Sequence, residues 1–205
     1  MSTRSLALLA TAFLWAPAMV SAADAAGSTP APSPDRAAVA RGQAAVDAGK
    51  YEEAERDFAE GLRIAPGKPD YLARLGNALR AEDKLDAAIK SLDAAIAGDP
   101  KQAWFYVARA RTYQDKGDEA KARADFDAAI ALDPKNESAL YYRSVFLYDN
   151  NDDQGAMADI TSALTLSPQD ADAIEQRGDI FSSMKRYDEA NADFAATLKL
   201  DPRNY

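Results

Sequence analysis

The densest group of side chains that could do chemistry is an acidic run, DNNDD, at residues 149–153. Carboxylates at this density could bind calcium, and the run resembles part of a calcium-binding loop. An EF-hand loop needs glycine at its sixth position and an acidic residue at its twelfth, where this chain has Gln154 and Ile160. We therefore expect no metal site and interpret the run as a solvated turn that begins a helix.

Chemistry that depends on histidine or cysteine is excluded, because the 205 residues contain neither. Disulfides, thiol nucleophiles, histidine-activated nucleophiles and the usual transition-metal sites cannot be built from this chain alone. The sequence also lacks a glycine-rich phosphate loop and a G-x-S-x-G motif. We predict a non-enzymatic protein that uses no cofactor and no metal.

The overall charge argues against nucleic-acid partners. Lysine and arginine number 24 against 33 aspartates and glutamates, which gives a formal net charge of −9. Binding to a phosphate backbone depends on an excess of basic side chains, so we expect no nucleic-acid binding. The hydrophobic content of 47% is sufficient for a folded core.

Five prolines, at 66, 100, 134, 168 and 202, follow one another at a constant spacing of 34 residues. A fixed period of this length indicates stacked copies of one supersecondary unit. Within each unit, two runs with apolar residues at i, i+3, i+4 and i+7 predict a pair of amphipathic helices joined by a short polar turn. We therefore predict an all-α domain of five repeats, at 35–68, 69–102, 103–136, 137–170 and 171–204.

Residue size repeats along with the prolines. One position of each first helix is small, as in Gly76, Ala110, Ser144 and Gly178, and this predicts close contact between the two helices of a unit. Large apolar residues recur in the second helices and are expected to anchor the core: Phe58, Leu92, Phe126, Ile160 and Phe194.

This pattern resembles the tetratricopeptide repeat family, whose units show W-x2-L-G-x2-Y, then A-x3-F, then P. In the third unit these positions hold Tyr106, Arg109-Ala110, Tyr113, Ala122, Phe126 and Pro134; the other units match similarly over residues 35–204, the first least well. The resemblance implies a right-handed superhelical solenoid of helix-turn-helix repeats, with a concave groove that captures peptides.

The residues before the repeats have the composition of a targeting segment and a tether. Residues 1–22 carry one charge, Arg4, an apolar run at 6–15 and small residues at the end, as in a secretory signal peptide. The alternative, an uncleaved membrane anchor, is disfavoured because the run is shorter than the ~20 apolar residues needed to span a bilayer. Residues 23–34 contain three prolines and predict a linker. We expect a periplasmic or secreted protein, cleaved at one of two adjacent sites and not inserted in the membrane afterwards.

In the family that this chain resembles, five positions of each first helix face the groove. The resemblance therefore implies the following candidate partner-binding residues: Asn77, Arg80, Trp104, Arg111, Tyr141, Tyr148, Asp172, Glu175 and Asp179. Aromatic and arginine side chains contribute strongly to protein interfaces, although packing of the aromatics within the chain remains an alternative. Recurrent arginines at 41, 109, 143 and 177 are instead expected to pack their stems and reach a carboxylate or solvent.

Two functions are compatible with these features. The first is an exported scaffold that binds a peptide or partner segment in the groove. The alternative is a structural accessory subunit of a cell-envelope assembly, docking through its convex face or through the C-terminal repeat. The sequence stops at Tyr205 without a further capping helix, so the last helix is expected to be partly uncovered, which leaves self-association through that repeat open.

Overall fold

The computed structural model describes residues 31–200, which fold into ten α-helices and contain no strand. The predicted signal peptide, most of the predicted linker and the last period proline, Pro202, lie outside this range. None of the described helices is long and apolar enough to cross a membrane. The helices are α1 (Pro34–Asp47), α2 (Tyr51–Ile64), α3 (Pro69–Ala81), α4 (Leu85–Gly98), α5 (Ala103–Asp115), α6 (Glu119–Leu132), α7 (Glu137–Asp149), α8 (Asp153–Leu166), α9 (Ala171–Ser183) and α10 (Tyr187–Leu200).

Each odd-numbered helix packs most extensively against the even-numbered helix that follows it, which makes five consecutive helical hairpins. Each of α2, α4, α6 and α8 also contacts the first helix of the next hairpin, and α3, α5, α7 and α9 contact their odd-numbered neighbours. The predicted all-α solenoid is confirmed. Because the described hairpins pack on their neighbours in sequence, stability in such a stack is approximately a sum of repeat and interface terms.

In the first four hairpins the period proline follows the end of the second helix, as its chemistry requires. Helices α2, α4, α6 and α8 each stop two residues before a proline. The intervening residue is extended, with φ between −127° and −146° and ψ between 80° and 92°. A residue before proline is restricted to this region because the proline ring collides with its backbone.

The turn inside each hairpin contains one residue in the left-handed region. These residues are spaced by the period and have φ of 60–77°: Gly49, Asp83, Gly117, Asn151 and Lys185. Glycine, asparagine and aspartate tolerate this conformation, whereas a lysine side chain is strained there.

The core lies between the two helices of each hairpin. A Cβ added to Gly42 would lie 2.7 Å from the Phe58 ring, and one added to Gly178 would lie 2.6 Å from the Phe194 ring. Phe58, Leu92, Phe126 and Ile160 are almost fully buried. The prediction that small residues in the first helix accommodate large ones in the second is therefore confirmed.

Candidate partner-binding surface

The recurrent arginines form ion pairs with carboxylates of their own hairpins, which is one of the two outcomes expected for them. Each donates hydrogen bonds to an aspartate 16 residues later, at 2.6–3.0 Å: Arg41 to Asp57, Arg109 to Asp125, Arg143 to Asp159 and Arg177 to Asp193. The second repeat has Leu75 in place of the arginine and Ser91 in place of the aspartate, so neither member of the ion pair is present there. These arginines link the two helices of their hairpins. The side chains of Arg109, Arg143 and Arg177 are largely buried, whereas that of Arg41 is 58% exposed.

The nine predicted groove residues lie on the odd-numbered helices, whose common surface we call the groove face. Asn77 and Arg80 are on α3, Trp104 and Arg111 on α5, Tyr141 and Tyr148 on α7, and Asp172, Glu175 and Asp179 on α9. Their contacts divide them into three groups, described below from the N-terminal end. The first is Asn77 and Trp104, the second is Arg80, Arg111 and Tyr141, and the third is Tyr148 with Asp172, Glu175 and Asp179.

The first group surrounds a cavity of about 290 Å³ between α1, α3 and α5. Its lining brings together Asn77 and Trp104, with Gln43, Val46 and Arg74. Arg74 is fixed here because it donates to Gln43 at 2.7 Å and to Asp70 at 2.9 Å. The Trp104 ring packs edge-on against Phe105 with centroids 4.5 Å apart, so part of this side chain serves the core and part faces the cavity.

Arg80 and its neighbours connect successive odd-numbered helices. Arg80 donates to Asp115 at 2.8 Å, and Gln114 donates to Asp149 at 3.0 Å, each pair 35 residues apart. Arg80 is therefore held by an intramolecular ion pair. Its Nε atom is buried and has no hydrogen-bond partner among the described residues, so the guanidinium is only partly satisfied.

Arg111 differs from every arginine described so far, because it forms no ion pair with any residue in the range 31–200. Its guanidinium carbon lies 3.9 Å from the centroid of the Tyr142 ring, a close cation–π contact. The side chain is half-buried, and burial, followed by the positive charge of Arg80, lowers the pKa of Arg111. The negative charge of Asp115 acts in the opposite direction, but that carboxylate is bound to Arg80. A desolvated cation without a counterion of its own is costly unless a partner supplies one.

Tyr141 and Tyr142 form the wall of a second cavity, of about 150 Å³, between α7 and α9. Their ring centroids are 5.1 Å apart and the rings meet at 74°. Ser138, Glu137, Asp170 and Asp172 complete the lining. Burial, and then the charge of Asp172, raises the pKa of Tyr141. Tyr142 was not predicted as a site residue, since it lies one position beyond the groove positions; the Tyr-Tyr doublet was the available sequence feature.

The third group joins Tyr148 to the acidic residues of α9. Burial, followed by the negative charge of Asp179, raises the pKa of Tyr148. Asp179 is itself half-buried, and burial raises its pKa. Glu175 adds negative charge near Tyr141 and also contributes to raising the pKa of that tyrosine. This end of the groove face therefore combines tyrosine rings with carboxylates.

The acidic run at 149–153 forms the turn between α7 and α8. Asp152 caps α8 by accepting a hydrogen bond from the Gly155 amide at 3.0 Å. Within residues 31–200 no group of three or more potential ligands is placed to hold a metal ion. The structural role expected of this run is the one observed.

Comparisons with known proteins agree with this architecture. A family model described as tetratricopeptide repeat matches residues 39–103 and 107–171, and a second model of the same description matches 171–204. No curated protein sequence matches the chain significantly.

Among solved structures, TTC0263, a thermophilic TPR protein of Thermus thermophilus, is 20% identical, with 83% of this chain and 93% of that chain covered and a TM-score of 0.75. MamA from Desulfovibrio magneticus RS-1 is 17% identical, with 84% and 98% covered and a TM-score of 0.65. In the Cut9–Hcn1 hetero-tetramer of the APC/C, the matching chain is 19% identical, with 83% of this chain and 34% of that chain covered and a TM-score of 0.75. At these identities the similarity concerns the fold.

Proposed function

Because the chain belongs to the tetratricopeptide repeat family, whose fold serves as a scaffold for protein–protein interactions, we propose that it is an exported, non-enzymatic scaffold that binds a segment of a partner protein along the groove face. The segment is extended or helical and lies across α3, α5, α7 and α9. The matching chain of the Cut9–Hcn1 hetero-tetramer belongs to a multi-protein assembly, which is in keeping with this role.

The observation that carries this proposal is the unpaired state of Arg111 among residues 31–200. The neighbouring Arg109, two residues earlier on the same helix, makes bidentate contact with Asp125 and a further bond to Asp93. Arg111 is half-buried on the groove face, where its guanidinium stacks on the Tyr142 ring. A partner carboxylate would satisfy this guanidinium, and a charge-assisted bond in a partly desolvated site is strong.

The remaining groove residues supply contact area and further polarity. Trp104 and Asn77 line the cavity at the N-terminal side, and Tyr141 and Tyr148 lie beyond Arg111. Tryptophan, tyrosine and arginine account for a large share of binding energy at protein interfaces. Asp172, Glu175 and Asp179 favour basic groups of the partner at the opposite end.

A crosslinking experiment tests this proposal. A photoreactive amino acid replaces the exposed Ser183 of α9 in the full chain expressed in its native compartment, and crosslinked partners are identified by mass spectrometry. We expect a partner segment that crosslinks to the wild-type groove face and is lost in Arg111→Gln. The matched control is Arg123→Gln, an exposed arginine on α6. Equal crosslinking by the two variants would contradict the role of Arg111.

The same preparation tests export. We propose a periplasmic or secreted location on the basis of the signal-like residues 1–22, which have the composition of a cleaved leader. Fractionation followed by mass determination is expected to give a chain beginning at residue 23 or 24. A full-length chain in the cytoplasm would contradict export.

A second function, as an accessory subunit of a cell-envelope assembly, is favoured by the surface of α10. Leu198 is 45% exposed, whereas its equivalent in the preceding repeat, Leu164, is 7% exposed. Docking through this surface, to a partner or to a second copy, would bury Leu198. Leu198→Glu would then abolish assembly while Arg111→Gln would not, and the reverse result favours the groove.

A further inference from the structure

The cavity between α7 and α9 has the size of a single side-chain site. Its volume of about 150 Å³ is well below the roughly 300–1,000 Å³ of small-molecule sites. The walls are the Tyr141 and Tyr142 rings and the Ser138 side chain, together with the carboxylates of Glu137, Asp170 and Asp172. We call this cavity the tyrosine pocket.

No basic side chain of the described residues lines the tyrosine pocket, although the Arg111 guanidinium contacts the ring of Tyr142, one of its walls. Between Glu137 and Asp172 the one basic residue is Arg143, and its guanidinium is bound to Asp159 and Asp127. Two of the lining carboxylates meet neutral donors: Glu137 accepts from the Ser167 hydroxyl at 2.5 Å, and Asp170 from the Ala173 amide at 3.0 Å. Asp172 is exposed and has no such donor within residues 31–200.

The equivalent site of the first repeat is occupied by a lysine side chain of the protein itself. Three periods separate Asp35 from Glu137, and the same three periods separate Lys68 from Asp170. The Lys68 ammonium lies 3.1 Å from the Asp35 carboxylate and 5.1 Å from the centroid of the Tyr71 ring. In that junction an ammonium is thus held by a carboxylate and an aromatic ring.

The fourth repeat retains the carboxylate but replaces the lysine with Asp170. The site that holds an ammonium in the first repeat is therefore more acidic in the fourth and has lost its internal cation. In the first junction the aromatic ring is that of Tyr71, whereas in the fourth repeat the rings are those of Tyr141 and Tyr142. The third repeat has Val107 and Ala108 at the positions of these two tyrosines. Aromatic faces combined with carboxylates attract a cation that carries an aliphatic stem.

We propose that the tyrosine pocket binds the ammonium group of a lysine side chain in the partner segment, in the place that Lys68 fills for the first repeat. This inference rests on the proposed function, since it supplies the chemistry of the segment bound by the groove face. The partner segment then carries an acidic group at Arg111 and a lysine at the α7–α9 junction. The two sites share Tyr142, which lines the tyrosine pocket and whose ring the Arg111 guanidinium contacts at 3.9 Å.

The test is an NMR titration of the full chain with N-acetyl-lysine methylamide as the probe. The matched uncharged probe is the norleucine derivative, which keeps the aliphatic stem and lacks the ammonium. We expect saturable shifts of the Tyr141, Tyr142 and Asp172 amides with the lysine probe only. Equal shifts with the norleucine probe would overturn the proposal, and tighter binding of the arginine derivative would overturn the choice of an ammonium.

Two substitutions sharpen the test. Asp170→Lys restores the arrangement of the first repeat, so its own ammonium should fill the pocket and abolish the shifts. Asp172→Asn should weaken binding several-fold. Glu119→Lys and Glu119→Gln on α6 make the same charge changes at an exposed position away from the groove face. Persistent binding by Asp170→Lys would contradict the proposal.

Asp170 also caps α9, so circular dichroism must first show that Asp170→Lys is folded. If it is not, Tyr141→Leu replaces it, and undiminished binding of the lysine probe by that variant would equally overturn the proposal. The titration requires no partner, so its failure is distinct from failure of the scaffold function. If capture of the partner depends on Arg111 but the lysine probe does not bind, the lysine site is excluded and the scaffold function is retained.

Discussion

Arg143 donates two hydrogen bonds to Asp159, at 2.6 and 2.8 Å, across the α7–α8 hairpin. A third bond, at 2.8 Å, joins it to Asp127 on α6 of the preceding hairpin. One guanidinium therefore links two helices of its own repeat and the repeat before it. The two carboxylates differ in exposure, 8% for Asp159 and 54% for Asp127.

This difference predicts unequal costs of removing the two aspartates. Asp159→Asn should lower the free energy of unfolding by roughly 1.5–3 kcal/mol, because it removes a charged partner from a partly buried arginine. Asp127→Asn should cost about 0–1 kcal/mol, since exposed ion pairs contribute little. Urea unfolding followed by circular dichroism measures both. Equal losses would mean that burial does not decide the strength of these pairs.

The hairpin turn of the fifth repeat offers a stabilising substitution. Lys185 has φ of 61°, a conformation that costs an ordinary L-residue roughly 1–2 kcal/mol. Lys185→Gly should raise the free energy of unfolding by about 0.5–1 kcal/mol, after allowing for the greater flexibility of unfolded glycine. Lys185→Ala is the matched control, because it removes the side chain without relieving the backbone. A gain in the control as large as that with glycine would contradict strain as the cause.

The architecture was predictable because each repeat carries the same types of residue at the same positions. The prolines, such as Pro66 and Pro134, mark where each second helix ends. The small residues opposite Phe58 and Phe126 mark where two helices approach closely. Both features depend only on residues within one repeat. The period of the recurrent Arg109 predicted a packed stem with the guanidinium at a carboxylate or in solvent, and the structure identifies the carboxylate as Asp125, 16 residues later.

The individual properties of the groove residues were not predictable from position alone. Arg80 and Arg111 occupy groove positions of neighbouring repeats, yet Asp115 lies within reach of Arg80 and no carboxylate of the described residues pairs with Arg111. Which charge is satisfied depends on side chains of the next repeat and on their rotamers. The fourth repeat has Asp170 where the first has Lys68. This difference indicates a site for a partner's ammonium only when the contacts of Lys68 are known.

The effect of Asp179 on the free energy of unfolding should depend on pH, with a sign opposite to that of a paired carboxylate. Burial raises its pKa, so the folded state holds its proton more tightly than the unfolded chain does. Its contribution to stability is present below the unfolded pKa, about 3.9, and is lost as the pH rises through the folded value. Asp179→Asn should therefore raise stability at pH 7 by roughly 0.5 kcal/mol, since much of the charge is still screened.

The same substitution should have no effect near pH 3, where both forms of residue 179 are neutral. Asp35 provides the opposite case, because hydrogen bonds from Ser33, Tyr71 and Lys68 lower its pKa. Its stabilising contribution is present above the unfolded pKa and disappears as the pH falls through the folded value, so Asp35→Asn should destabilise at pH 7. Urea unfolding at both pH values separates the two. A loss of stability at pH 7 in Asp179→Asn would show that its carboxylate is satisfied in solution.

Arg109 and Arg111 allow one substitution to be compared at two sites on α5. Arg109→Met would leave Asp125, which is 9% exposed, without its counterion. Removing one member of a buried pair costs about 3–5 kcal/mol. Arg111→Met leaves no carboxylate behind, because none within residues 31–200 is paired with it.

At Arg111 two effects oppose each other. The variant loses a cation–π contact with Tyr142, worth about 0.5–2 kcal/mol, but it also removes a half-buried charge, and methionine packs well against aromatic rings. We expect its stability to change by less than about 1 kcal/mol, while crosslinking to the partner is lost. Thermal and urea unfolding with the crosslinking assay check both parts. A large loss of stability would show that Arg111 maintains the fold, because a residue kept for binding contributes little until its partner arrives.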